Sequence, residues 1–232
     1  MTRPRPSAAP RGAVHPVRRW TQLMGGLVLY GVAIGLMISA EVGLDPWTVF
    51  AQGWSLTTGV PIGLMTVLIG IIVLLLWIPL RQRPGIGTVL NVIVIGPVID
   101  LTLLVVDTPD TLALRWLVFA GGLALLAVAT GLYIGAGFGP GPRDGLMTGA
   151  HARFGWPVWA VRTGVEVTVL ATGWLLGGTV GFGTVAFALL IGPMVGVTLP
   201  QLRLPEAPRR ERGTQPSGVA SDSIPGGQGG GA

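Results

Sequence analysis

The side chains able to do chemistry in this chain are few, and several lie where water is scarce. Arg162 and Glu166 stand one helical turn apart, on one face, inside the apolar stretch 157–177. Arg143 and Asp144 follow the turn Gly139-Pro140-Gly141-Pro142. Asp100 lies in the outer part of the apolar stretch 86–106, with Asn91 a weaker candidate in the same stretch. A charge in hydrocarbon is costly unless paired or hydrated. Asp100, Arg143, Asp144, Arg162 and Glu166 are therefore candidates for holding a small solute or ion, or for relaying a proton. For Arg162 and Glu166 a self-satisfied ion pair that only fixes helix packing stays equally open. Catalytic sets are missing. His15 is in the head of the chain and His151 stands alone in a loop, which leaves no HExxH and no His-rich zinc set. No GxSxG elbow, Walker A string or dinucleotide fingerprint occurs, and there is no Cys. The expectation is no catalytic residue, no metal, no cofactor and no enzyme.

Composition says what must position these residues. Of 232 residues 50% are hydrophobic and only 11% charged, with a mean hydropathy of +0.68. Soluble domains carry about 25% charged residues. A polytopic membrane protein is the class this implies, with the lipid bilayer as its first partner. The net charge of +5 comes entirely from Arg, since there is no Lys. Arg3, Arg5, Arg11, Arg18 and Arg19 precede the apolar runs, and Arg203, Arg209, Arg210 and Arg212 follow them. The middle is close to neutral, so no basic face tracks nucleic acid.

A membrane helix needs about 20 mostly apolar residues. Six stretches qualify: 21–41, 62–80, 86–106, 114–136, 157–177 and 182–201. With the N-terminus inside, the Arg-rich head and tail, Arg81, Arg83, Arg143 and Arg153 all fall in the cytoplasm, while Asp45, Asp107 and Asp110 fall outside. Both ends are then cytoplasmic, in the cell membrane. Arg115 sits awkwardly at an outer boundary, and Glu41 reads as solvated. The first span runs too long for a cleaved signal's apolar region.

Sliding the chain by 96 positions aligns its halves without a gap. Arg19-Trp20 meets Arg115-Trp116, Gly43 meets Gly139, Pro46 meets Pro142, and Ile95-Gly96-Pro97 meets Ile191-Gly192-Pro193. About 29 of about 85 positions are identical, against roughly 8 by chance. Four segments follow: an Arg-rich disordered head (1–20), a first three-helix repeat (21–106), a second (107–201), and a disordered Gly/Pro-rich tail (202–232). Three spans per copy make the second insert upside down, the inverted plan of many secondary transporters. The rival plan makes 46–58 and 142–154 full spans, but 13 helical residues reach only about 20 Å.

Each copy adds a short helix after its first span. Asp45 offers an N-cap with Pro46 at the first helical position, Gly141-Pro142 repeats the pattern, and Gly59 and Gly155 end the helices. Dipping in from opposite faces, the two would frame a midplane site with Arg143 beside one positive helix end. Lying flat at the interface, the first would show the aromatic stripe Trp47, Phe50 and Trp54. Both remain open. Pro97 and Pro193 are read as breaks in the third span of each copy.

Gly43-Leu44-Asp45-Pro46-Trp47 with Gln52-Gly53, the run from Ile78 to Asn91, the run from Gly139 to Met147, and Val161-Arg162-Thr163-Gly164-Val165-Glu166 resemble the YczE/YyaS/YitT family of bacterial integral membrane proteins, in its actinobacterial form. The resemblance covers residues 19–200. It implies a multi-span inner-membrane protein and carries over neither substrate nor catalytic residues. The leading expectation is a small-solute or ion permease with its site between inverted repeats. The alternative is a non-transporting membrane scaffold or assembly partner. A homo-oligomer through the glycine faces fits either.

Overall fold

The computed structural model describes residues 16–205; the rest of the Arg-rich head and nearly all of the tail lie outside the described residues. Among the described residues eight helices run in order: α1 (Pro16–Ala40), α2 (Pro46–Thr58), α3 (Ile62–Trp77), α4 (Ile86–Val105), α5 (Leu112–Gly135), α6 (Pro142–Phe154), α7 (Val158–Leu175) and α8 (Phe182–Leu202). No strand occurs among the described residues. Each helix of the second four begins 96 residues after its counterpart in the first. Residues 16–20, assigned above to the head, already belong to α1.

Four helices, α1, α4, α5 and α8, are long and apolar enough to cross a membrane. The pair α2 and α3, bent by 116° at Gly59–Pro61, passes the same test together and would make a fifth span. The two remaining expected spans come out shorter. The stretch 62–80 leaves the helix at Trp77, and the 16 residues of α3 rise only about 24 Å. In α7, Arg162, Glu166 and three threonines dilute the apolar residues. Pro97 and Pro193 do not break their helices; α4 and α8 run through them as single elements.

In lipid, helices associate by close packing rather than by a hydrophobic drive, which favours small residues at the contacts. The centre of the molecule is α1 against α5. Gly26 receives Leu132 and Tyr133, and Gly122 receives Ala33, Leu36 and Met37. The start of one helix meets the end of the other, so the two run antiparallel. Shifting each partner by 96 turns the first contact into the second. Leu23, Leu27, Met37, Leu123 and Ala129 fill the space between.

The outer helices repeat the exchange. On α4, Val98 and Thr102 pack on Gly31 and Gly35, so α1 and α4 run the same way. On α8, Thr198 packs on Gly131 and donates to the Ala127 carbonyl at 2.7 Å. The loops after α1 and α5 cross over to the other half. Gly183 N–H donates to Val42 O (2.8 Å), and Gly87 N–H to Phe138 O (3.1 Å). Gly43 and Gly139 make these turns at φ of 125° and 121°, which a side chain would strain. Leu44 N–H donates to Thr184 Oγ1 (3.1 Å). Its counterpart Pro140 has no N–H, and there the hydroxyl of Thr88 donates to the proline carbonyl instead (2.8 Å).

Candidate functional site

The two short helices form as their caps dictate. Asp45 caps α2, its Oδ1 accepting from Trp47 N–H (3.2 Å) and Thr48 N–H (3.4 Å) with Pro46 at the first position. α6 starts at Gly141 and Pro142 with no side-chain cap. Gly59 and Gly155 close both helices in the left-handed conformation, φ 74° and 73°. His151, expected in a loop, lies in the last turn of α6, and its Nδ1 is 2.6 Å from the Trp156 carbonyl.

Both short helices pack on the opposite half of the molecule. Trp47, Val49, Ala51 and Gly53 of α2 are buried in the protein, where Gly53 packs on Gly173 of α7. α6 uses the equivalent positions with volumes reversed. Val49 and Phe50 press on Gly173, whereas the Trp77 ring fills the place a side chain on Gly145 would take. The same ring donates from Nε1 to Pro142 O (3.1 Å) and so holds the start of α6.

The two N-termini therefore meet at the centre. Arg143 Nη1 lies 3.1 Å from Asp45 Oδ1, with the Asp45 side chain 2% exposed and that of Arg143 33% exposed. The guanidinium carbon stands 5.2 Å from the centre of the Trp47 ring, within cation–π range. Trp47 and Arg143 are the same position of the repeat, so the two copies touch here through unlike residues. Asp45 Oδ2 and Trp47 Nε1 are buried without a partner among the described residues.

A cavity of about 650 Å³ opens beside this pair and is lined by residues of all eight helices. Arg143, Asp144, Arg162 and Glu166 all line it, with Pro46 and Pro142. Arg162 Nε and Glu166 Oε1 pair at 3.1 Å. Their counterparts Thr66 and Gly70 line the same cavity from α3. Asp144 forms no ion pair among the described residues, although it lies in the first turn of α6, where a carboxylate faces the positive helix end.

Other candidates fall elsewhere. Asp100 is outside the cavity; its oxygens accept from Gly63 N–H (2.7 Å) and Leu64 N–H (3.1 Å), so from α4 it caps the start of α3. Pro97 and Pro193 are not in the cavity wall. Glu41 is not simply solvated, since it pairs with Arg115 at 3.0 Å, which also accounts for the awkward arginine. Sequence reasoning missed Tyr30 and Tyr133, which line the cavity and pack edge to face at 5.9 Å. It also took Asp45 as a cap only. The 96-residue register sets Arg143 against Trp47 and Asp45 against Gly141, so it carried no signal for the Asp45–Arg143 pair. Among the described residues no three His, Asp or Glu side chains gather as a metal site requires.

Apolar helices around a charged, enclosed centre define an integral membrane protein. The chain belongs to the family of unknown function DUF6198, whose model matches residues 17–200. It is 40% identical over 187 residues to an uncharacterized protein of Haemophilus influenzae, covering 80% of this chain and 86% of that one. It is similar to two proteins of Bacillus subtilis. To the uncharacterized membrane protein YczE it is 35% identical, with 80% and 87% of the two chains covered. To YyaS it is 27% identical, with 75% and 89% covered. The resemblance drawn from the motifs is borne out. No solved structure matches.

Proposed function

We propose that the chain is a small-solute or ion permease of the bacterial cytoplasmic membrane, built as two inverted three-span repeats with the substrate site between them. The observation that carries this is the single cavity in which Arg143, Asp144, Arg162 and Glu166 come together at the meeting point of the two short helices. Contacts that exchange under a 96-residue shift, with α1 antiparallel to α5, support the inverted plan. Since α1 and α4 run the same way, the chain returns once between them, through α2 and α3. The same holds for α6 and α7 in the second half. Six crossings with both ends inside then agree with Arg81, Arg83, Arg153 and the arginine-rich ends, whereas Arg143, expected in the cytoplasm, and Asp45, expected outside, meet at the central cavity instead. Helix ends and broken segments lining a midplane cavity are how transporters of this plan hold substrate.

The scaffold alternative draws on one observation, the Arg162–Glu166 pair that satisfies itself. It calls for a dry, closed interface between the halves, which a cavity of 650 Å³ does not favour. Purified protein in proteoliposomes, offered amino acids, organic acids, amines and inorganic ions, should move one class. Glu166→Gln and Arg143→Gln should each slow that flux by about tenfold or more, the loss of a charge-assisted contact. Failure to move any solute, with both variants indistinguishable from the parent in ligand-induced thermal shift, would overturn the permease.

A further inference from the structure

The α3–α4 and α7–α8 seams occupy the same place in the two halves, yet one is shut and the other open. At the first, Gly63 lies against Gly96, and Asp100 binds the amides of Gly63 and Leu64. At the second, Gly192 and Gly196, the counterparts of Gly96 and Asp100, have no atom of the described residues within 4 Å of where a Cβ would stand. Trp159, the counterpart of Gly63, is 72% exposed. The cavity extends to this gap, between Arg162 and Glu166 on one side and Gly192 and Gly196 on the other.

α7 is most tightly held at one end, where Gly173, its one buried residue among the described residues, is wedged on the backbone of Val49 and Phe50. A second, almost wholly apolar cavity of about 630 Å³ lies along its flank toward α3. Its other end hangs on the linker Gly155-Trp156-Pro157, where Gly155 meets nothing within 4 Å.

We propose that α7 is the gate of the central cavity, pivoting where Gly173 meets α2, and that Trp159 latches it by seating in the notch formed by Gly192 and Gly196. This rests on the permease function, for which it supplies the closing step. Trp159 shares a helix face with Arg162 and Glu166, being three and seven residues before them, so latching draws the ion pair across the cavity mouth. A ring seated over a glycine gap is how the molecule already joins its halves at Trp77 and Gly145. The shut α3–α4 seam shows the geometry available to the same repeat position.

The chain has no Cys, so two introduced thiols report on each other alone. In native membranes under mild oxidation, Trp159→Cys with Gly196→Cys should form a disulfide, although no atom of residue 159 is within 4 Å of the Gly196 Cβ position with the gate open. Gly70→Cys with Val92→Cys is the reference pair, since a Cβ on Gly70 would lie 3.4 Å from that of Val92, close to disulfide geometry. Cross-linking of the reference but not of the 159/196 pair would overturn the gate. The latch itself is read from Gly196→Cys alone. Trp159→Ala, which removes an exposed ring and no core packing, should raise its alkylation by N-ethylmaleimide about threefold as the open population grows. An unchanged rate would overturn the latch. Solute flux without the cross-link keeps the permease and removes the gate, whereas the cross-link in a protein that moves nothing keeps the moving α7 and removes the permease.

Discussion

Asp45 Oδ1 takes three donors: two amides of its own helix and the guanidinium of a residue 98 positions away. Two helix N-termini, each worth about half a positive charge, converge here with Arg143. Asp45 and Asp144 offset that charge, so the centre is balanced without a third partner. Removing one side of a buried pair strands the other. Arg143→Gln should cost stability near the low end of about 3–5 kcal/mol, because its head is partly hydrated while Asp45 is not. Asp45→Asn keeps the cap, and the double variant should recover part of the loss. Thermal unfolding in detergent, followed by tryptophan fluorescence, gives the cycle; additive losses would show that the pair contributes nothing. Arg143, Asp144, Arg162 and Glu166 were legible as scarce charges in apolar sequence. The partner of Arg143 was not, since nothing local links residues 45 and 143. Asp100 was misassigned for a related reason. The cost of an intramembrane carboxylate points to a need for partners, and two amides at the start of α3 meet it as well as a ligand would.

At the scale of elements, the boundaries of α2 and α6 were legible because they are set locally, by Asp45 or Gly141 with proline at the start and by glycine at the end. What each helix packs on was not legible, because it depends on volumes matched across the two halves. The α2–α7 contact puts bulk on the short helix and glycine on the long one, and the α3–α6 contact does the opposite. The identity of the two copies therefore fades at these two contacts, whereas α1 and α5 keep Gly26 and Gly122, and Leu36 and Leu132, where they meet. Gly145→Ala should destabilise by about 1–3 kcal/mol, since a methyl group would collide with the Trp77 ring that also anchors Pro142. Trp77→Leu alone loses that anchor and leaves a void. The double variant Gly145→Ala/Trp77→Leu should cost less than the sum, by a coupling of about 1 kcal/mol, in the same unfolding assay. Strict additivity would mean that the two positions do not meet.

For the whole molecule, the direction of each helix decides how often the chain crosses. α1 and α4 run together and α1 and α5 oppose, which agrees with the proposed three crossings per copy better than with four. The eight-crossing plan rejected on helix length would run the copies parallel, with the loop at Arg83 outside and Asp110 in the cytoplasm. Single cysteines separate the two plans, as the parent has none to mask. In intact cells a membrane-impermeant maleimide should label Asp110→Cys and Val180→Cys, and should reach Arg83→Cys and Arg153→Cys only after permeabilisation. All four positions are exposed, so protection reports the bilayer rather than packing. Labelling of Arg83→Cys from outside with Asp110→Cys protected until permeabilisation would remove the inverted plan and with it the placing of the α3–α4 and α7–α8 seams on opposite sides. Labelling in the expected order would put the shut seam on the outer side and the open one on the cytoplasmic side. Solute would then reach Arg143 and Glu166 from within the cell, on the face that carries most of the arginines.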